Sequence, residues 1–379
     1  MDSTIADRLN NWDIPLKDKS ILILASKPLD LINAYEYLEQ SQFYNRNNNV
    51  KVIIIGRDRN QSALIRLCDH LEQDYSVIKS PDFYYSYLPK LLAIKLPVIF
   101  QNIARLVLYI LSIPIWFYRL NKLKNSFRCN LLILDCWRDK CSVASSINFQ
   151  QLVIIDGGLS TQTFELVETW NNHGPIPAIE KYLQLQAISR PGRVRPSGLI
   201  SGFIAMKSSM MPKKIQRDFF NKISLIKNEI ELFTSYTEAT NINKNIIKNF
   251  FYFSSNRLTG KQLINKIFII GYTELKFLDL QFQAAQQIQK EHPELSIQLM
   301  IHPSDQGKMN FSTYYRKLIY KQINRFNLDV QKIEYSFEVD MLFTDLQLPL
   351  HLVSYRSSLI SWIKMLCPQV KTHIIDEIV

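Results

Sequence analysis

The stretch Leu152-Val153-Ile154-Ile155-Asp156-Gly157-Gly158 decides how the chain is read. Its apolar, β-branched run has the pattern of a parallel strand buried on both faces. An acid and a glycine pair end it. Two more stretches repeat the arrangement. Ile297-Gln298-Leu299-Met300-Ile301 runs into His302-Pro303, and Leu350-His351-Leu352-Val353-Ser354-Tyr355 is followed by Ser357-Ser358. In each, a strand pattern ends and a chemically active residue type stands at its C-terminal edge. Open α/β sheets bind their ligands at that edge. An acid, an imidazole and two hydroxyls placed so suit the breaking of a bond to a phosphate.

Working outward, strand patterns alternate with helical periodicity. Strands are expected at 20–26, 50–55, 75–78, 130–135 and 151–155, with helices at 29–39 and 61–71 and a long apolar helical region over 85–123. This is the signature of βαβ units and a first Rossmann-like domain over 1–160. Residues 161–171 read as a helix, followed by the loops 172–177 and 190–196, so 161–205 is expected to connect two domains. The pattern restarts with strands at 230–235, 266–271, 296–301, 330–335, 350–354 and 370–375. Helices are expected at 275–290, 312–327 and 358–365. A second Rossmann-like domain over 206–379 follows. The fold class is therefore α/β, two Rossmann-like domains facing a cleft.

At 379 residues the chain exceeds one ordinary core. Its 47% hydrophobic content fits a folded protein rather than a disordered one. The formal net charge of +11 implies an anionic partner, such as an acidic glycan or a lipid surface, or else a solvated basic face. From Lys207 to Lys266 there are eleven Lys/Arg against four Asp/Glu. No nucleic-acid-binding motif accompanies the charge, so no nucleic-acid partner is expected. The five cysteines form no CxxC pair and have no zinc spacing. They read as reduced structural thiols of a cytoplasmic protein, with no metal site. The polar N-terminus carries no apolar signal core. Residues 106–118 are uncharged and lie beside Arg119, Lys122 and Lys124, but fall short of the roughly 20 residues of a spanning helix. They read either as a core helix or as a helix lying on the inner face of an anionic membrane.

Each candidate residue has a plain alternative. Asp156, before a turn-permitting Gly-Gly pair, suits a general base, or a turn aspartate bonding its own backbone. His302, followed by Pro303, suits a donor to a leaving phosphate, or a packed histidine. Ser357 and Ser358 suit phosphate binding, or simple helix capping. Gly271-Tyr272-Thr273 offers a similar helix start. There is no Asp-x-Asp and no Walker-type loop, so no Mg²⁺–diphosphate clamp is expected.

Taken in order, Asp156-Gly157-Gly158, His302-Pro303 and Ser357-Ser358 resemble the acidic-Gly, His-Pro and Ser-Ser/Thr motifs of bacterial sialyltransferases of the GT-B type. The stretch 26–34, Ser-Lys-Pro-Leu-Asp-Leu-Ile-Asn-Ala, is similar to the first βα loop of the polysialyltransferase and lipooligosaccharide sialyltransferase branch. Glu338 falls where that branch often has a glutamate. The resemblance implies the GT-B fold, a CMP-sialic acid donor, inversion at the anomeric carbon and no cofactor or metal. It makes Asp156 the base and His302 the group acting on the donor phosphate. Ser357, Ser358, Pro303, Gly271, Tyr272, Thr273 and Glu338 would bind the donor. Ser26, Asn33, Arg193 and Arg195 would meet an anionic glycan or glycolipid acceptor. The family motif usually carries two acids before the glycine, whereas Gly157 stands in the second place here. Another nucleotide sugar, or an inactive glycan- or nucleotide-binding homologue, is the alternative.

Overall fold

The computed structural model describes residues 20–41, 49–56, 58–79, 114–118, 120–121, 123–124, 127–136, 138–156, 161–189, 213–235, 245–270, 275–301, 313–326, 328–355 and 358–375. The chain divides into two compact units, Met1–Phe250 and Phe251–Val379.

In the first unit, seven parallel strands form one sheet. They are β1 (Ile21–Ala25), β2 (Val50–Gly56), β3 (Asp74–Lys79), β4 (Arg128–Asp135), β5 (Asn148–Ile155), β6 (Ile230–Thr234) and β7 (Ile246–Lys248), in the order β3-β2-β1-β4-β5-β6-β7. Strands β1 and β4 are buried almost throughout, which is why they read as unbroken apolar runs. Around the sheet lie helices α1 (Pro28–Gln40), α2 (Asp58–His70), α3 (Arg138–Ala144), α4 (Thr161–His173), α5 (Pro175–Ser189) and α6 (Lys213–Leu225).

Three features differ from the sequence reading. First, β6 does not open a second domain. It pairs with β5 in the register Leu152↔Ile230 and closes the first sheet's far side with β7, a short strand the sequence reading lacked. Strand patterning shows which residues face a core but not which sheet a strand joins. Second, 161–189 is not a connection. Helices α4 and α5 bring Trp170, Ala178, Ile179 and Tyr182 into the first unit's core. Third, the expected loop 172–177 shrinks to Gly174, whose φ of +85° lets one helix end and the next begin. Residues 114–118 are helical, with Trp116 buried in the same core and Tyr118 exposed. Among the described residues, no helix is long and apolar enough to cross a membrane.

The second unit carries five parallel strands: β8 (Leu263–Ile270), β9 (Ser296–Ile301), β10 (Asp329–Lys332), β11 (Leu348–Tyr355) and β12 (Lys371–Ile375). Their order is β10-β9-β8-β11-β12. The helices are α7 (Tyr252–Leu258), α8 (Leu275–Glu291), α9 (Thr313–Phe326), α10 (Phe337–Phe343) and α11 (Ser358–Leu366). Its core packs Ile267, Ile269, Leu299 and Val353 against Leu278 and Phe282 of α8. Numbered within each unit, both sheets begin 3-2-1-4-5, the doubly wound Rossmann order. The protein is thus two Rossmann-like α/β units.

Candidate functional site

The doubly wound order reverses direction at one point in each sheet, and the strand ends there leave a crevice. In the first unit that point lies between β1 and β4. Both strand ends are charged. Asp30, in the first turn of α1, accepts hydrogen bonds at Oδ2 from Ser26 N (2.9 Å), Ser26 Oγ (3.2 Å) and Lys27 N (3.0 Å). A carboxylate there satisfies amides that the helix start leaves without partners. Asp135 ends β4. Between the two carboxyls stands Lys140 of α3, fully buried, its Nζ in ion pairs with Asp30 and Asp135. Burial works against each charge. For Asp30 the Lys140 and Lys27 charges prevail and its pKa falls. For Asp135 burial, reinforced by Asp30, prevails and its pKa rises. Lys140, held by two carboxyls, is raised despite burial.

One strand over, Asp156 follows β5 and is 7% exposed. Its backbone carbonyl accepts a hydrogen bond from Asn33 Nδ2 at 2.8 Å. Its Oδ2 accepts from Ser235 N (2.7 Å) and Ser235 Oγ (2.9 Å). Its Oδ1 is buried and has no hydrogen-bond partner among the described residues. Burial raises the Asp156 pKa, while the Ser235 amide, the Thr234 and Ser235 hydroxyls and the Lys27 charge oppose it. A carboxyl shifted upward can act as a base toward a hydroxyl that gains access to it.

The sequence-predicted residues are placed as follows. Asp156, Ser26 and Asn33 come together at the C-terminal edge of the first sheet. The Ser26 hydroxyl and the Asn33 amide nitrogen are engaged within the protein there, on Asp30 and on Asp156. Ser358 opens α11, and Glu338 is half-buried in the first turn of α10. Gly157, Gly158, Arg193, Arg195, Gly271, Tyr272, Thr273, His302, Pro303 and Ser357 lie outside the described residues. Their places in the chain are still informative. Gly271-Tyr272-Thr273 follows β8 and Ser357-Ser358 follows β11, the two strands flanking the second unit's reversal point. His302-Pro303 follows β9, the next strand. Gln281 of α8, fully buried, donates to the carbonyl of Ile270 at the end of β8 at 2.9 Å.

Asp30, Asp135, Lys140, Thr234 and Ser235 were missed from sequence. Asp135 carried the same signal as Asp156, since Leu131-Leu132-Ile133-Leu134 precedes it. Ser235 carries none, because the sequence pattern alone places the strand before it in the other sheet. A second feature lies away from the strand ends. A cavity of about 320 Å³ on the second unit is lined by Lys266, Gln298, Gln331, Asp345 and Gln347, among others. Lys266 Nζ donates to Gln298 Oε1 (2.8 Å), and Gln298 Nε2 donates to Gln331 Oε1 (2.7 Å). Among the described residues, no group of three His, Cys, Asp or Glu side chains could hold a metal ion.

No family model matches the sequence, and neither does any curated protein. Solved structures do. The chain is similar to E. coli heptosyltransferase WaaC with ADP-2-deoxy-2-fluoro heptose, at 9% identity and a TM-score of 0.40, covering 94% of this chain and 88% of that one. It is similar to a sialyltransferase from Photobacterium damsela at 11% identity and a TM-score of 0.39, covering 94% and 82%. The GT-B domain of a Photobacterium damselae sialyltransferase, residues 113–497, matches at 12% identity and a TM-score of 0.36, covering 94% and 90%. Likeness at this level bears on neither substrate nor chemistry.

Proposed function

We propose that the protein is a GT-B glycosyltransferase that moves sialic acid from CMP-sialic acid to a glycan acceptor, with inversion and without a metal. The observation that carries this reading is the state of Asp156. It is a buried carboxyl with a raised pKa, at a strand's C-terminal edge one strand from a doubly wound reversal point. The ordered set Asp156, His302-Pro303 and Ser357-Ser358, following β5, β9 and β11, supports it.

In this mechanism the acceptor hydroxyl gives its proton to Asp156 as its oxygen bonds to the anomeric carbon. The bond from that carbon to the donor phosphate breaks on the opposite face, and CMP leaves with the electron pair. His302 gives the departing phosphate a hydrogen bond or a proton. Ser357, Ser358 and the amides of the helix start hold that phosphate, and Gly271, Tyr272 and Thr273 bound the same crevice. Arg193 and Arg195 draw in an anionic acceptor.

The test is release of CMP from CMP-sialic acid in the presence of a lactose-terminated acceptor. Asp156→Asn and His302→Ala should each lower kcat by at least about 100-fold, the ordinary contribution of a positioned acid or base. Wild-type turnover in either variant counts against the mechanism. CMP should raise Tm more than UDP, ADP or GDP at equal concentration, since only a ligand of the native state does so.

A second reading is a nucleotide-binding homologue without transferase activity. Gly157 in place of the second acid favours it. A CMP-dependent rise in Tm with no consumption of CMP-sialic acid decides for it.

A further inference from the structure

Helix α1 carries polar side chains on the sheet-facing side at Asp30, Asn33, Tyr37 and Gln40, spaced three, four and three residues apart. This is the repeat of one helix face. Each engages the next strand along. Asp30 reaches Asp135 at the end of β4 through Lys140. Asn33 reaches the carbonyl of Asp156 after β5. Tyr37 donates to Glu231 of β6 at 2.6 Å. Gln40 donates to the Lys248 carbonyl of β7 at 2.6 Å and accepts from Phe250 N at 3.0 Å. The helix is thereby pinned across four strands, and its Asn33 amide holds a fixed place under Asp156. Ser235 grips the same residue from the other side, by its carboxyl.

We propose that Asn33 and Ser235 are positioning residues, a two-sided clamp that fixes Asp156 by its carbonyl and by Oδ2. The inference rests on reading Asp156 as the base. Two donors on Oδ2 favour the ionised carboxylate, the form that takes a proton from the acceptor. The clamp also restricts the carboxyl to one orientation, which is how a positioned base differs from a merely nearby one. Among the described residues, Lys27, Asp30, Asp135 and Lys140 are the charged groups set out above for this edge, and all stay in place in the variants proposed.

The experiment follows Asp156 in the full-length protein by carboxyl-¹³C NMR with labelled aspartate, its signal assigned by its loss in Asp156→Asn. Ser235→Ala removes one donor to the ionised form, so the Asp156 midpoint should rise by about one pH unit. Asn33→Leu keeps the branching of the side chain and removes the carbonyl's partner. It should shift the Asp156 resonance and lower kcat for CMP release about 10- to 100-fold, with the donor KM within about twofold, as expected of lost positioning. The acid limb of kcat/KM should move upward in Ser235→Ala with the NMR midpoint. A midpoint that Ser235→Ala leaves in place overturns the clamp. So does an Asn33→Leu protein with wild-type kcat and resonance. If Asp156→Asn turns over at the wild-type rate, the assignment of the base falls instead, and the NMR measurement, which needs no substrate, still decides the clamp. Should Asn33→Leu not fold, Ser235→Ala decides alone.

Discussion

At the residue scale, Lys140 shows how much a single side chain can hold. Its ammonium is fully buried between Asp30 and Asp135, at the reversal point of the first sheet. Removing it strands two carboxyls without their counter-charge. Lys140→Met is expected to lower unfolding free energy by about 3–5 kcal/mol in denaturant titrations. Adding Asp30→Asn and Asp135→Asn should recover part of that loss, because the uncompensated charge is then gone. If the triple variant is less stable than Lys140→Met alone, electrostatics is not what Lys140 supplies. The cysteines are the opposite case. All five are buried thiols outside any disulfide. Burial pushes the Cys68 and Cys129 thiols up to about 12 and Cys367 to about 11. Few thiolates exist at neutral pH, so thiol reagents should label these positions only as the protein unfolds. Fast labelling of the native protein would contradict this.

At the element scale, β11 and β12 are joined by an imidazole pair. His351 Nδ1 lies 2.9 Å from His373 Nε2, with the ring planes 9° apart and the centroids separated by 5.1 Å. That separation matches two rings meeting edge to edge, one donating and one accepting. A proton on both rings removes the accepting lone pair. Burial pushes the His351 pKa down to about 4, helped by His373, Lys371 and His292 and opposed by Glu294. His373 is lowered too, by burial and Lys371, with Glu291 opposing. The folded pKa lies below the unfolded one, so between about 6.5 and 4 the unfolded chain binds a proton that the folded chain refuses. Stability is unaffected above that window and is lost as pH falls through it. The slope should be at most about 1.4 kcal/mol per pH unit for this proton. His351→Phe should flatten the stability profile between pH 6.5 and 4, as read by thermal melts. An unchanged profile means the acid sensitivity lies elsewhere. Helix α1 carries the other lesson at this scale. Its face of Asp30, Asn33, Tyr37 and Gln40 has the spacing of an ordinary solvated stripe. Three of the four side chains are instead buried, because they serve strand ends that only the assembled sheet brings beneath them.

At the scale of the whole molecule, each of the two doubly wound sheets has one reversal point. The Ser26–Asn33 segment follows β1 at the first, Asp156 lies one strand over after β5, and Gly271–Thr273 and Ser357–Ser358 follow the strands of the second. Each unit has its own core. Residues 251–379 expressed alone should therefore fold with a cooperative thermal transition and native-like far-UV dichroism. A molten fragment would show that the division after Phe250 is not a folding boundary.

What the amino-acid order determined by itself was the class of elements and the edges that matter. Apolar runs such as Leu152–Ile155 need two covered faces, and only a parallel sheet with helices on both sides supplies them. A polar residue at the end of such a run must then lie at the strand's C-terminal edge. Only the tertiary structure decided which sheet Ile230–Thr234 joins, and with it the arrival of Ser235 on the Asp156 carboxyl. Only it could show Lys140 between Asp30 and Asp135, a contact spanning 110 residues of chain. Local periodicity reports how a residue faces its own element. Partnership between buried polar groups depends on strand order, and no single segment carries that.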